Sequence, residues 1–518
     1  MLSAATMWIT FACYMVFLIC VAVYVTQKEK KQAAGGGNLL TTTVPWFILV
    51  MTYIASLMST WTFFAGPGAY YRGGLGYWLS EMSYIALFPI IAHFSMNKVW
   101  IVNQEYGNSF VTPADFYYER FKSSALRTIL GIVFLAASFP YIASVIVAIA
   151  QGASFVTDNA VSYKTAVIVV GLIMTIFVCF GGVKSAATAD TVQGLVFIIL
   201  LWVIAVFCIV YGLQGKGLFT TLWKESPEFY SYPGPSEWVP YSARFGYPFS
   251  CAIGWTIMLP HVFVRSGYFG DNLKAQRRLS RLTPVLQAIV WTGTMVIGAV
   301  GLALVKGLPT SDTELIIPWL VKNYIIGVNS GLGKFLLIGF FVGASAVGLS
   351  TSNAFLTIAS AIVSNDLLKH TFHVKVDEKK SVLFDRIIVA VLGIGSMLLA
   401  IDPPELIFTL IMFAIAIVMP LFPVLMFGLY WKKATKQAAI VASILGPVVV
   451  VLCYLPSMKW NPTFGGGNWY GFWGLVMSTI CMIVVSLCTK QDPKDSEEFY
   501  AKLESGMDRF YDRKKVKY

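Results

Sequence analysis

Charge is what this chain has least of. Only 12% of its 518 residues are Asp, Glu, Lys or Arg, against 57% hydrophobic residues, whereas an ordinary soluble domain carries about 25% charged residues. No hydrophilic stretch is long enough for a separate soluble domain, so the composition selects an integral membrane protein. Histidine is scarce as well, four residues scattered at 93, 261, 370 and 373, which suggests no transition-metal site. The eight cysteines all lie in apolar segments without a CxxC pair and read as small buried hydrophobes. Clustered His, Asp or Glu ligands beside the spans are also lacking, which argues against a membrane enzyme.

What is there is apolar length. Long unbroken hydrophobic runs, rather than ten-residue alternating segments, select helices over a barrel. The expected fold is an all-α polytopic membrane protein of about thirteen spans, near 7–26, 46–70, 76–96, 126–153, 161–181, 190–214, 245–264, 284–306, 335–365, 387–401, 404–430, 438–457 and 468–488. With the first span running inward, one side of the membrane holds 29 of the 38 Lys and Arg. The positive-inside rule then puts the N-terminus outside and the C-terminus in the cytoplasm of a cell membrane. The net charge of +12 thus sets orientation and meets the lipid bilayer, with no nucleic-acid partner implied. The first span lacks a basic leader and a small-residue cleavage site, so it reads as a retained helix.

Two spans are decorated with hydroxyls and helix breakers: "YIASLMSTWTFFAGPGAY" (53–70) and "GASAVGLSTSNAFLTIASAIVSND" (343–366). Broken helices within a membrane are tolerated where the freed backbone lines a cavity or is buried in protein. A dehydrated Na⁺ is a hard cation that wants about five or six oxygen ligands. The Ala55 to Met58 stretch offers carbonyls, Ser350 and Thr351 are adjacent hydroxyls, and the Val347 carbonyl lies one turn earlier. Together they make a five-oxygen set. If spans two to six form one unit and spans seven to eleven another, the odd number of crossings makes the two copies inverted.

The chain resembles the sodium:solute symporter family. The resemblance is carried by "FFAGPGAYYRGGLGYW" (63–78), "VTPADFYYERF" (111–121), "GGVKSAATADTVQ" (181–193), "LPHVFVR" (259–265), "STSNAFLTIASAIVSNDLL" (350–368) and "GLYWKKATKQAA" (428–439), in that order. It implies a LeuT-type core of five plus five inverted helices with broken helices, and secondary active transport with Na⁺ as the co-transported ion. It places the main sodium ligands on the carbonyls of Ala55, Met58 and Val347 and the hydroxyls of Ser350 and Thr351. Some members hold a second sodium with an acidic residue, here Asp190, and a serine whose place is taken here by Ala354. Ala189 also stands where the family usually has Thr. One Na⁺ per solute is therefore expected, with Asp190 left as an ion-exit residue or a helix cap.

The solute is expected beside the ion, near the midplane. Candidate contacts are Ser59, Trp61, Thr62 and Phe63 on the second span, Tyr141, Ser144 and Gln151 on the fourth, Trp255 on the seventh and Asn353 on the ninth. Glu81 is an intramembrane carboxylate and thus a functional candidate, although its place one turn past Trp78 points to the outer water. His93 and His261 read as structural, near cytoplasmic ends, and no Lys or Arg lies clearly at the midplane. Together with "DPPELI" (402–407), the motifs read most like pantothenate and monocarboxylate carriers, with proline-like amino acids or sugars as alternative solutes and a channel as the rival class. The expected organisation is a first helix and link (1–45), a first repeat (46–214), an external loop capping the outer mouth (215–244), a second repeat (245–430), two further helices (431–488) and a solvated basic cytoplasmic tail (489–518). A monomer suffices for function.

Overall fold

The computed structural model describes residues 1–32, 43–82, 84–180, 183–232, 234–236, 250–374, 378–454, 470–490 and 493–511. The link at 33–42, the end of the external loop with the start of the seventh span (237–249), the connection at 455–469 and the last residues of the basic tail (512–518) lie outside the described residues. Helix is the only extended regular structure among those described, beside one isolated bridge between Val44 and Gly270. The helices are α1 Ala4–Gln32, α2 Trp46–Leu57, α3 Ala65–Met82, α4 Tyr84–Phe94, α5 Met96–Glu105, α6 Pro113–Phe121, α7 Ser124–Val156, α8 Tyr163–Phe180, α9 Val183–Leu213 and α10 Leu218–Glu225. They continue as α11 Pro260–Tyr268, α12 Leu273–Leu304, α13 Thr310–Thr313, α14 Ile316–Leu320, α15 Ser330–Ala361, α16 Glu378–Ile401, α17 Ile407–Val418, α18 Leu421–Tyr430, α19 Lys436–Tyr454, α20 Tyr470–Cys488 and α21 Pro493–Tyr511.

Ten helical stretches among the described residues are long and apolar enough to cross a membrane. The other three expected spans fall on α2, on the shorter α8 and on the seventh span. Two of these three are broken, and they stand five spans apart. The second span stops as α-helix at Leu57, passes through extended Met58 and Ser59, and resumes as a 3₁₀ turn over Thr60–Thr62. The seventh runs as π-helix over Ser250–Met258, turns extended at Leu259 and resumes at Pro260. Pro260 explains that break: it disfavours helical backbone in the preceding residue and is at home as the first residue of the next helix.

The ninth span is not broken where its hydroxyls cluster. It is α-helical from Ser330 to Ala361 and π-helical over Ile362–Lys369. Its serines and threonines do not need a break, because Ser350 and Thr351 both return hydrogen bonds to Val347 O of the same helix. The partner of the second span in brokenness is therefore the seventh.

Start signals account for the long buried spans. Ser123 accepts from Leu126 N at the head of α7, Asn272 from Ala275 N at α12, and Asn329 from Leu332 N at α15, each satisfying an otherwise orphaned helix donor. Thr112 and Asp115 form a capping box around Pro113 at α6. The segment after α10 packs onto α3 as a cap: Ser236 N donates to Arg72 O at 3.1 Å and Tyr232 bonds Ser80. Gly74, at φ 61° and ψ −158°, lets α3 turn under that cap, and a Cβ there would lie 2.5 Å from Phe229 O.

The tail is not simply solvated up to residue 511. Its helix α21 packs on α5 and α6, with Phe499 buried against Phe116, Phe510 against Trp100 and Arg509 paired to Glu105 at 2.9 Å. The amphipathic spacing of its aromatics carries this docking. Buried Arg120 of α6 donates to Gly428 O, Trp431 O and Ala434 O, closing the C-terminus of α18.

Candidate functional site

A helix that stops leaves its last four carbonyls without intrahelical donors. In α2 the last helical bond is Met58 N to Ile54 O, so the carbonyls of Ala55, Ser56, Leu57 and Met58 are orphaned. The donors that would have served two of them are diverted: Trp61 N bonds Ser59 Oγ and Thr62 N bonds Ser59 O. All four carbonyls find side chains from other spans. Ser350 Oγ donates to Ala55 O at 2.7 Å and Thr351 Oγ1 to Met58 O at 2.9 Å. His261 Nε2 donates to Ser56 O and Trp255 Nε1 to Leu57 O, both at 3.0 Å.

The break is thus held on one side by α15 and on the other by residues flanking the break of the seventh span. His261, the second residue of α11, thus meets the break of the second span directly through Nε2. The five oxygens expected from the sequence come together: the carbonyls of Ala55, Met58 and Val347 and the hydroxyls of Ser350 and Thr351 lie in one chain of hydrogen bonds of 2.7 to 3.0 Å. All five residues are fully buried. Each hydroxyl proton is shared between two carbonyls, and a cation entering the group would release both protons to rotate outward while the lone pairs turn inward.

Ser59, Trp61, Thr62 and Phe63 follow the break and are buried. The hydroxyls of Thr60 and Thr62 have no hydrogen-bond partner among the described residues. Trp61 packs edge-on against Trp255 at 5.5 Å and against Tyr70 at 5.7 Å, and tilted against Trp291 at 5.8 Å. Tyr141 packs tilted on Phe355 at 4.5 Å, and its hydroxyl faces Ser59 and Trp255. Ser144 spends its proton on Tyr141 O. Phe63 packs on Phe340, away from the indoles. Gln151 lies half-buried on the far turn of α7 beside Gly152, whose missing Cβ leaves room for Phe64, and Asn353 is buried on α15. Gly66 of the Gly-Pro-Gly segment is a close-packing device, since a Cβ there would lie 2.7 Å from Thr294.

Sequence reasoning missed Trp291, which completes the indole cluster from α12 and also meets Tyr84 at 4.7 Å. The signal available was its helical spacing with buried Gln287 and Thr294, which by itself reads as packing. Glu81 does not face outer water: it is 1% exposed and takes a hydrogen bond from Tyr70, the residue behind Trp61. Asp190 is neither a helix cap nor solvated. It lies inside α9, fully buried, accepting from Thr52 Oγ1 at 2.7 Å and paired to Arg265 at 3.2 Å. A buried guanidinium therefore lies on α11, one residue past the expected end of the seventh span.

Beside the five oxygens, a narrow cleft with room for little more than a water molecule lies between α9, α11 and α15, lined among others by His261, Arg265, Phe269, Ala354 and Thr357. Ala354 is one turn along α15 from Ser350, so the cleft begins one helical turn beyond the oxygen cluster.

A model of the sodium:solute symporter family matches residues 36–446. A sodium/pantothenate symporter of Haemophilus influenzae is 27% identical over 404 residues, covering 77% of this chain and 80% of that protein. A sodium/pantothenate symporter of Escherichia coli is 28% identical over 411 residues, with 78% and 80% covered. Among solved structures, the substrate-bound outward-open state of a Na⁺-coupled sialic acid symporter superposes with a TM-score of 0.71 at 17% identity, covering 94% of this chain and 98% of that one. The fold is thus shared with LeuT-type transporters.

Proposed function

This chain belongs to the sodium:solute symporter family, whose members couple solute uptake to Na⁺, and on that premise we propose that it carries a small organic carboxylate inward, pantothenate or a monocarboxylate, with one Na⁺ per solute. The observation that carries the reading is the pair of α15 hydroxyls seated on the orphaned carbonyls of Ala55 and Met58. An ion there joins the broken second span to the ninth. The same break turns directly into Ser59 to Phe63, so ordering the ion site also orders the solute face, and by linkage each ligand raises the affinity for the other. Trp61, Trp255 and Tyr141 would close over the solute, with Ser59, Thr62 and Asn353 as the polar contacts; Phe63, Ser144 and Gln151, expected from the sequence, lie away from the indoles or are already bonded.

A single ion is supported by two features. Ala354 offers no hydroxyl below Ser350, and the Asp190 carboxylate is already charge-paired with Arg265. The distribution of Lys and Arg supports a cytoplasmic C-terminus; about 2.3 kcal/mol per charge per 100 mV then favours inward movement of the ion. The two broken helices support repeats over 46–214 and 245–430, and a monomer contains every residue invoked. The somewhat higher identity of the pantothenate symporters, 27–28% against 24–25% for proline transporters, favours pantothenate over proline.

The test is uptake into proteoliposomes from a panel of labelled pantothenate, lactate, proline and glucose, with and without an inward Na⁺ gradient. Gradient-driven accumulation of a carboxylate is expected. Accumulation of glucose or proline instead would refute the solute assignment, and flux without accumulation would indicate a channel.

A further inference from the structure

The amphipathic tail helix α21 touches two parts of the protein that transport asks to separate. On one flank it lies on α5. Gly506 backs so closely onto that helix that a Cβ would stand 2.4 Å from Ile101 Cγ2. Phe510 packs on Trp100 at 4.9 Å, and Arg509 pairs with Glu105 at 2.9 Å. On the other flank it lies on α6 and the end of α18. There Phe499 packs on Phe116 at 5.6 Å, the Tyr500 hydroxyl donates to Gly428 O at 2.8 Å, and Lys432 pairs with Glu504 at 3.1 Å.

Each flank leads to a different side of the ion site. α5 belongs with α11: Trp100 Nε1 donates to Gly270 O at 2.7 Å, and Gly267 of α11 lies so near α5 that a Cβ would stand 2.8 Å from Val99 Cγ1. α11 begins at the break of the seventh span and carries His261, the donor to Ser56 O. α6 belongs with α7, the helix of Tyr141, from which only Lys122 and Ser123 separate it. Opening a broken-helix site toward one face of the membrane swings the half-helix on that face away from its neighbours. α11 is such a half-helix, and α21 ties its companion α5 to α6 and α18.

The two flanks differ in grip. Phe499 and Tyr500 are buried, whereas on the α5 side Phe510 is half-buried and the Arg509 side chain is 59% exposed. An apolar contact sealed from water holds better than an exposed ion pair, so the α5 end of the helix lets go first. We propose that α21 is a latch: fixed to α6 and α18 by Phe499 and Tyr500, it clips onto α5 through Gly506, Arg509 and Phe510. The site opens toward the face that carries the tail only when the clip releases. The inference rests on the Na⁺-symport reading and adds the regulation of that same site. The clip favours the state closed on the tail side, so weakening it moves the resting population toward the open one. Na⁺ acts the other way. An ion at the Ala55 and Met58 carbonyls steadies the same break that His261 of α11 holds, and by linkage it tightens the clip.

The experiment uses the full-length protein, in nanodiscs for amide hydrogen exchange over residues 502–511, in Na⁺ and in K⁺, and in proteoliposomes for counterflow of labelled pantothenate. Arg509→Glu is expected to speed both by about threefold to tenfold, because an exposed pair is worth up to about fivefold and its reversal adds repulsion. Gly506→Leu, which forces the helix off Ile101, should act alike. The charge swap Glu105→Arg/Arg509→Glu should restore wild-type behaviour, and Glu497→Lys, on the exposed face, should change neither readout. In wild type, Na⁺ should slow the exchange relative to K⁺. Faster exchange with unaltered counterflow would show a tail that is merely docked and would overturn the latch. So would unchanged exchange in both variants, a swap that fails to rescue, or exchange that ignores Na⁺. A wild type that accumulates no pantothenate under a Na⁺ gradient would overturn the solute assignment instead, and the exchange data would still decide the latch.

Discussion

Thr351→Ala is the sharpest perturbation the ion site offers. The hydroxyl touches Met58 O and Val347 O, both at 2.9 Å, so its removal deletes one of five ligands and the bridge from α15 to the broken span together. A hydrogen-bonding group acting on a charge is worth about 1.5–3 kcal/mol. At about 1.4 kcal/mol per decade, the half-saturating Na⁺ should rise roughly tenfold to a hundredfold. Without sodium, only a neutral hydrogen bond is lost, about 1 kcal/mol, so the variant should still fold. The two terms separate in a thermal-shift titration. At a Na⁺ concentration a hundred times the wild-type dissociation constant, binding stabilises wild type by about 2.7 kcal/mol, and a hundredfold weaker variant by only ~0.4 kcal/mol. Ser350→Ala, which loses Ala55 O and Val347 O, should behave alike. Ser352→Ala is the control: its hydroxyl is buried in the same turn without a partner, and its sodium curve should stay within about twofold of wild type. Wild-type sodium dependence in Thr351→Ala, or an equal shift in Ser352→Ala, would refute the five-oxygen site.

His261→Ala should destabilise the protein by about 1–3 kcal/mol, because Ser56 O loses its donor in a dry interior; chemical denaturation in detergent measures it, and an unchanged midpoint would contradict the donor role. Gly74→Ala should cost about 1–3 kcal/mol from backbone strain alone, before the contact with Phe229 O, and a melting temperature equal to wild type would show that the turn under the cap is not strained. Glu314, between α13 and α14, carries a carboxyl raised by burial, with the Phe408 N–H and Arg72 opposing. A raised value means the folded form holds the proton longer, so wild-type stability falls as pH rises from the ordinary carboxyl range through the folded value. Glu314→Gln should lack that fall, and parallel melting curves for the two proteins between pH 4 and 8 would disprove it.

Much of this was readable from residues in order. Apolar length set the spans, Lys and Arg the expected orientation, and the coincidence of Ala55–Met58 with Ser350–Thr351 named the atoms that meet. What misled was treating hydroxyl density as a sign of breakage: α15 carries its hydroxyls on an unbroken helix, whereas the seventh span breaks at Leu259-Pro260 with few polar residues around it. Glu81 and Asp190 were misjudged for a related reason. Their partners are distant in sequence: Tyr70 reaches Glu81 from eleven residues back along α3, and Thr52 and Arg265 reach Asp190 from other spans.

The sequence by itself determined the class of the molecule, the number of apolar spans and the oxygen-rich chemistry of the two segments that meet, because those depend on composition, period and residue type, which are local. The tertiary structure decided who completes the broken helix. Four orphaned carbonyls in a dry interior must each find a donor, and whether that donor is Ser350, His261, Trp255 or Thr351 depends on how helices nearly 200 to 300 residues apart pack side by side.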